Sequence, residues 1–410
     1  VASEELVVGL DIGTTKICAM IADFDENGEL EILGVGQSAS HGLRRGVVIN
    51  IESTLRSVSE AIEAAEQMAG REVASVVTGI AGAHIEGINS RGVVAVTGRG
   101  REITQQDVDR VLEAAKAVVI PMDREVLHVI PQEFVVDDQG GVKNPLDMIG
   151  VRLESEVHII TGSVTSAQNL VKCVNRAGFK VENIILESLA SSRAVLTADE
   201  KELGVVHIDL GGGTTDVIVY LDGAPYYTSV VPIGGQQVTG DISIVLKTPL
   251  ESAERIKRQA GCCYIDLVED NEPVIIPGVG GRPPLTIERK NLCSIIQPRM
   301  AEIVTMVRDK IRKKGLLKNL GGGVVLTGGG ALMPGAVDLA QEIFGMAARV
   351  GRPAGGAGLA EKYRGPEFAT VVGLVRMGAE QLEPEAGQPA PKERRGMFES
   401  LGKWFRNFFE

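Results

Sequence analysis

Apolar residues in this chain alternate between short, nearly unbroken runs and stretches spaced three and four apart. The switches between the two periods outline its elements. Residues 6–10 are an aliphatic run that stops at Asp11; Gly13, Thr14 and Thr15 follow, and apolar residues resume at Ile17. That order reads as a strand, a tight turn and a second strand. It returns 198 residues on. There the run stops at Asp209, then Gly211, Gly212, Gly213, Thr214 and Thr215 supply the turn, and Val217 opens a new run. A duplicated α/β domain is the simplest source of such a repeat.

Between the two hairpins, residues 51–68 have helical spacing and 75–80 read as a buried strand. Residues 83–161 look like an insert. A strand near 92–96 leads to a glycine-rich turn. A helix then starts at Thr104, with Asp107 in capping position and Val108, Val111, Leu112 and Ala115 on one face. Strands at 126–136 and 151–160 complete a strand-helix-strand-strand unit. Beyond the second hairpin the pattern predicts a helix over 249–261, a Pro- and Gly-rich loop over 270–285 and a long helix over 288–314. A strand over 323–327 ends in Gly328, Gly329 and Gly330, and a helix starts near 335. Residues 378–396 hold three prolines and nine charged or amide side chains, the composition of a flexible linker.

Composition narrows the class. With 410 residues, 44% of them apolar and 23% charged, the chain can hold two or more domains with cores of their own. Glycine is in excess at 50 residues without a collagen period, which points to tight turns and close backbone approach to a ligand. Five scattered cysteines form no C-x-x-C pair and no zinc spacing, which suits a reducing compartment. The first residues lack the features of a signal peptide, and no apolar run approaches the ~20 residues of a membrane span. The expectation is a cytoplasmic protein. A net charge of −12, with no basic stripe in the body of the chain, argues against a nucleic-acid partner.

Two such hairpin loops suit one nucleoside triphosphate. Glycines let backbone N–H groups approach phosphate oxygens, and the paired threonines add hydroxyl donors. Asp11 and Asp209 would hold Mg²⁺ through its waters, with no direct metal ligand, because Mg²⁺ dehydrates reluctantly. Lys16 supplies a compact positive charge for the phosphates. A lone D-x-G turn is a common hairpin connector; two of them, each after a buried strand, together with the 328–330 turn, point to a nucleotide cleft. The Walker pattern is absent, which excludes a P-loop NTPase.

The loops at 11–16 and 209–216 and the turn at 326–330 resemble the three nucleotide signatures of the actin, Hsp70 and sugar-kinase superfamily. Further stretches narrow the resemblance to the bacterial cell-division family FtsA. They are Arg101-Glu-Ile-Thr, His128-Val-Ile-Pro-Gln-Glu-Phe, Gly150-Val-Arg-Leu-Glu, Leu189-Ala-Ser-Ser and Gly280-Gly-Arg-Pro-Pro, with an amphipathic C-terminus. Asp147 departs from it, standing where a Pro-x-Gly-Met loop has glycine. The resemblance implies an α/β, duplicated actin-like ATPase fold in subdomains. The first core subdomain is 1–82, 162–202 and 365–382, the insert 83–161, the second core 203–236 and 290–364, and a small nucleotide-side subdomain 237–289. A linker at 383–396 and a membrane-targeting helix at 397–410 follow.

The same resemblance places Glu187 near an attacking water and Glu254 and Lys257 against the adenosine of ATP. Spacing alone reads that last pair as an i,i+3 surface ion pair. The resemblance also implies a partner, FtsZ, whose acidic C-terminal peptide would meet Lys290, Arg299 and Glu302; taken singly, these read as a solvated helix face. Self-association into filaments and contact with later division proteins would fall to the insert. ATPase turnover is expected to be weak, since actin-like scaffolds commonly bind nucleotide without fast hydrolysis.

The tail gives the cleft a setting. As a helix, 397–409 would place Met397, Phe398, Leu401, Trp404, Phe405, Phe408 and Phe409 on one stripe, with Lys403 and Arg406 opposite. Thirteen residues make roughly 20 Å, too short to cross the ~30 Å hydrocarbon core, so the helix would lie in the interface of an anionic membrane. Docking on the protein's own core is the bland alternative. The segment from Lys392 onward carries net +2 and the rest of the chain −14, so the tail must supply the attraction to such a surface. The expected place is the cytoplasmic side of the cell inner membrane at the division septum. The rival readings are a small-molecule kinase on the same cleft and a pilus-assembly ATPase without a membrane-seeking tail.

Overall fold

A computed structural model describes residues 6–25, 30–97, 99–269, 272–278, 283–354 and 358–382. The first hairpin is β1 (Val7–Ile12) and β2 (Lys16–Phe24), antiparallel from Val7↔Ala22 to Ile12↔Ile17. Strand β3 (Leu30–Ala39) extends it, and a small hairpin of β4 (Leu43–Arg44) and β5 (Val47–Val48) follows. Helix α1 (Ile51–Ala69) begins where the Asn50 side chain accepts the Ser53 N–H and stops at Gly70, whose φ of 66° closes the last turn. Strand β6 (Ser75–Ile80) joins β1 in parallel.

The insert then leaves the core. It comprises β7 (Glu86–Ala95), α2 (Gln105–Ala115), β8 (Arg124–Val136), β9 (Gln139–Val142) and β10 (Arg152–Ser163), in the sheet order β7-β10-β8-β9. The first strand starts at Glu86 rather than 92, because β10 pairs with its whole length from Glu86↔Thr161 to Ala95↔Arg152. A short β9 adds one strand more than the hydrophobic pattern shows. Asp107 closes the capping box with Thr104 in place of the commoner Glu. Asp147 takes φ 63°, the left-handed region that glycine fills most easily and Asp tolerates, and its N–H donates to Ile103 O at 3.1 Å. The departure at this position therefore keeps the turn.

The chain returns through α3 (Val164–Arg176), β11 (Lys180–Leu186), α4 (Glu187–Val195) and α5 (Ala198–Leu203). The second half begins with β12 (Val205–Leu210), β13 (Thr215–Leu221) and β14 (Ala224–Val231), then α6 (Gly235–Leu246) and α7 (Leu250–Ala260). Next come β15 (Pro273–Ile276), β16 (Leu285–Glu288), α8 (Arg289–Lys313), β17 (Val324–Thr327), α9 (Ala336–Phe344), β18 (Ala348–Val350) and α10 (Ala369–Leu382).

The two core sheets run β3-β2-β1-β6-β11 and β14-β13-β12-β17-β18. In each, the first two pairings are antiparallel and the last two parallel. The duplication read from two hairpins thus extends to whole sheets. Two apolar cores form, one around the first sheet that also takes in Val205, Ile218, Tyr220 and Val325 of the second, and one built on Val206, Ile208, Val217 and Val219 of the second. Two expectations change. The 270–285 loop contains β15 and the start of β16, which pair with each other, because Val274 and Ile276 turn inward on alternate positions. Residues 378–382 are the last turn of α10, held by the Arg193–Glu380 bridge at 2.6 Å, so the polar composition there belongs to a packed helix.

Candidate nucleotide cleft

Pairing to Ile12↔Ile17 and Leu210↔Thr215 leaves two loops of equal length, 13–16 and 211–214, at the ends of the two hairpins. They face each other. A Cβ on Gly212 would lie 2.4 Å from Thr15 Cγ2, and one on Gly213 would lie 2.6 Å from Thr14 Oγ1. These glycines let the two halves of the chain approach this closely. Gly13 and Gly211 serve the turns themselves, since a Cβ on either would meet a carbonyl of its own loop at 2.9 Å.

The threonines divide by role. Thr14 Oγ1 accepts the Gly46 N–H at 3.1 Å, and Thr214 donates to Asp216 Oδ2 at 2.8 Å. Thr15 is exposed, whereas Thr215 is fully buried and donates to Ile233 O at 2.8 Å. Lys16 Nζ donates to Glu367 O at 2.8 Å and lies 4.2 Å over the Phe368 ring.

Four carboxylates gather beneath the loops. Asp11 and Asp216 are buried; Asp209 and Glu187 are partly so. Burial pushes Asp11 up to about 6, against the pull of Lys16. Burial, with repulsion from Asp216 and Asp11, pushes Asp209 up to about 7. Asp216 is raised to about 6, again chiefly by burial. Glu187, desolvated and facing Asp11, Asp216 and Asp209, is raised well above the carboxylate range. Asp216 was not singled out from sequence, yet it is the cross-strand partner of Asp209 and its buried Oδ1 has no partner. The signal was present: an acid seven residues past another, across a four-residue turn, falls opposite it in a hairpin.

Glu187 opens α4, and Gly79 makes room for it, since a Cβ there would lie 2.7 Å from Glu187 Cγ. The preceding Leu186 N–H donates to His128 Nε2 at 2.9 Å, and burial lowers that imidazole to about 4, which keeps the nitrogen an acceptor. The third turn completes the arrangement. Gly328 has φ 79°, and a Cβ on it would lie 2.3 Å from Asp209 Oδ1; one on Gly330 would press on Leu210 at 2.7 Å. Gly329 has open space beside it. Thr370 donates to Asp209 Oδ2 at 3.2 Å.

Helix α7 joins the second loop through a chain of contacts. Lys257 bridges to Glu254 at 2.6 Å and donates to Gly235 O at 3.1 Å, while the Gly235 N–H donates to Gly211 O at 2.9 Å. Burial favours a neutral Glu254, but hydrogen bonds from Lys257 and Thr239 outweigh it and hold the carboxylate low.

Arg299 and Glu302 lie elsewhere, in a groove of about 460 Å³ between α6 and α8. Arg299 pairs with Asp241 at 2.7 Å and with Glu302, which together hold its guanidinium firmly charged. The groove also carries Ile244 and Val245, 76% and 58% exposed, which the sequence reading passed over. Their signal was weak: Ile244 falls on the face of α6 away from buried Val238 and Ile242, whereas Val245, three residues past Ile242, falls on the same one. Lys290 lies about two and a half turns toward the start of α8. The linker at 383–396 and the tail residues Met397, Phe398, Leu401, Lys403, Trp404, Phe405, Arg406, Phe408 and Phe409 lie outside the described residues. Among the described residues no helix is long and apolar enough to cross a membrane, and no cluster of side chains is placed to ligate a metal directly.

The family model described as "Cell division protein FtsA" matches residues 206–373, and the one described as "SHS2 domain inserted in FTSA" matches 82–161. The cell division protein FtsA of Borreliella burgdorferi is 53% identical over 380 residues, which are 92% of either chain. Among solved structures, the PilM–PilN type IV pilus biogenesis complex superposes with a TM-score of 0.65 at 16% identity, covering 92% of this chain and 99% of that one. MreB 5 of Spiroplasma citri bound to AMPPNP does so with a TM-score of 0.54 at 14% identity, covering 91% and 95%. The structural likenesses carry the fold, which is the actin-like one. Identity of 53% across nearly the full length carries more: this chain belongs to the FtsA family of cell division proteins.

Proposed function

We propose that this chain is an ATP-binding, actin-like scaffold that polymerises on the inner face of the cytoplasmic membrane. There it tethers FtsZ filaments and helps recruit later division proteins. The observation that carries the reading is the pair of glycine loops, one from each half, face to face above Asp11, Asp209, Asp216 and Glu187. Four crowded carboxylates, one with an unpartnered buried oxygen, are a poor arrangement for stability alone and a good one for a hydrated Mg²⁺ held by outer-sphere contacts. Loop amides, Thr14, Thr15 and Lys16 would take the phosphates, and Lys16 would exchange Glu367 O for them. Gly328, Gly329 and Gly330 with Glu254 and Lys257 would bracket the adenosine. Burial and the three neighbouring acids push Glu187 toward its protonated form, and positive charge entering the cleft would restore its character as a base, which fits slow turnover.

The groove between α6 and α8 is the proposed seat of the FtsZ C-terminal peptide. Ile244 and Val245 would receive its apolar side chains, while Arg299 would trade Asp241 or Glu302 for a peptide carboxylate. The tail from Met397 would hold the assembly to lipid. Co-sedimentation of the full chain with FtsZ and phosphatidylglycerol-containing vesicles, with and without ATP, tests the whole reading. ATP-dependent recovery of both proteins with the vesicles is expected. Retention in the supernatant, or recovery unaffected by deleting 397–410, defeats the tether.

A further inference from the structure

The net charge of −12 hides one strongly basic surface. Between Arg308 and Lys318 six side chains are basic and only Asp309 is acidic, so the expectation of no basic stripe fails at the C-terminal end of α8. Asp309 pairs with Arg308 at 2.9 Å and Arg312 at 3.2 Å. Arg312, Lys313, Lys314 and Lys318 are exposed, and Lys313 and Lys318 make no ion pair among the described residues. Basic side chains in a helix's last turn complement its dipole, but that effect ends within the turn. Lys314 and Lys318 lie past the final helical residue, Lys313, so helix stability does not account for them.

The position of this patch is informative. Glu380, in the last turn of α10, bridges to Arg193 of α4, and Lys201 of α5 sits close enough to feel both charges. At the end of α5, Leu203 O and Gly204 O accept the N–H groups of Gly321 and Gly322 at 3.1 and 2.7 Å. Those glycines follow, one residue on, the turn Leu316–Asn319 that carries Lys318. Leu203, beside them, is 63% exposed. The basic patch and the end of α10 are therefore linked through α5 and the turn Leu316–Asn319. The 14 residues of 383–396 span at most about 50 Å when extended, enough for the apolar stripe that begins at Met397 and the patch to reach one flat surface.

We propose that Arg312, Lys313, Lys314 and Lys318 form a second membrane contact that takes anionic lipid headgroups and turns this side of the protein toward the bilayer. The inference rests on the tether reading above. A chain of net charge −12 is repelled as a whole by an anionic leaflet, so this basic patch favours the approach of its own side, within about one Debye length. Lysine, a compact and well-hydrated charge, suits headgroup phosphate and carboxylate alike.

The test uses the full chain with ATP and vesicles of phosphatidylcholine, with or without phosphatidylglycerol. A variant carrying R312Q, K313Q, K314Q and K318Q is expected to bind phosphatidylglycerol vesicles about tenfold or more weakly than the parent, to match it on phosphatidylcholine alone, and to keep its melting temperature and ATP affinity. A variant carrying K313R, K314R and K318R should bind as the parent does. Unchanged binding of the glutamine variant to phosphatidylglycerol vesicles overturns the patch, and if deletion of 397–410 still abolishes binding, the tether reading survives that failure. If the deletion changes nothing, the tether itself is lost. Loss of affinity for double-stranded DNA with vesicle binding intact would assign the patch to nucleic acid instead.

Discussion

Gly328 is the position in the cleft that tolerates least change. Its φ of 79° costs a side chain about 1–2 kcal/mol, and a Cβ would collide with Asp209 Oδ1 at 2.3 Å. Gly328→Ala should weaken binding of a fluorescent ATP analogue by about tenfold or more while the circular dichroism stays that of the parent; equal affinity would remove Asp209 and this turn from the site. The carboxylates predict an unusual pH dependence. Asp209, ordinarily near 3.8 and raised to about 7, binds more protons in the folded chain than in the unfolded one at every pH between those values. Folded stability from this group is therefore present in acid and lost as pH rises to about 7, and Asp11 and Asp216 act in the same sense up to about 6. Without nucleotide, Asp216→Asn should raise the melting temperature near pH ~8 by about 3 °C relative to the parent and much less near pH ~5. A gain of the same size at both would mean that Asp216 does not titrate between them. At this scale sequence is informative where one residue type permits one chemistry, as with the glycines of both loops. It shows Asp216 only once the register of β12 and β13 is fixed, which sets that residue opposite Asp209.

At the scale of elements, legibility followed periodicity. Helices α1 and α7 were readable because one face of each is buried and the other is not, and the hairpins around Asp11 and Asp209 because their strands are buried on both faces and read as apolar runs broken at the turn. The pairing of β15 with β16 was hidden by flanking Pro and Gly, which mark a loop and equally the ends of a short hairpin. Helix α6 hid the groove for a different reason: Val238 and Ile242 satisfy the core, so further apolar residues on it read as more core. Ile244 instead stands 76% exposed beside Arg299. Ile244→Asp should therefore lower affinity for an FtsZ C-terminal peptide about tenfold, measured by fluorescence anisotropy, with stability changed by no more than about 0.5 kcal/mol. Unaltered peptide affinity would place the peptide elsewhere. Arg299→Ala should weaken the same peptide and also free Asp241 and Glu302 to repel it, so its effect should grow as salt is lowered.

For the whole molecule, the internal repeat was legible because both copies keep an acid, a glycine and a threonine pair at one turn. What no local pattern reveals is that the insert, carried between β6 and α3 of the first half, leans on β14 of the second. Gln132 donates to Pro225 O at 2.9 Å, His158 Nε2 meets Thr228 Oγ1 at 3.1 Å, and Lys143 reaches Asp222 O. Gly87 lets the strands come this near, since a Cβ there would lie 2.3 Å from Thr228 Oγ1. Burial lowers His158 to about 4, so the ring is neutral and its contact with Thr228 is an ordinary hydrogen bond. Thr228→Val would leave a buried ring nitrogen unpaired and should cost about 1–3 kcal/mol, read as a lower melting temperature. The consequence for function is larger than that figure. A ligand gripped by one loop from each half shifts the halves relative to each other only through contacts that differ between the two states. The insert spans both halves, so it must absorb such a shift at β7, β8 and β14. Adding ATP should therefore alter hydrogen exchange in β8 and β14 as well as at 13–16 and 211–214, and Thr228→Val should weaken the response in β8 while leaving that of the loops. Changes confined to the loops would mean that the insert rides on the first half alone and carries no report of the cleft.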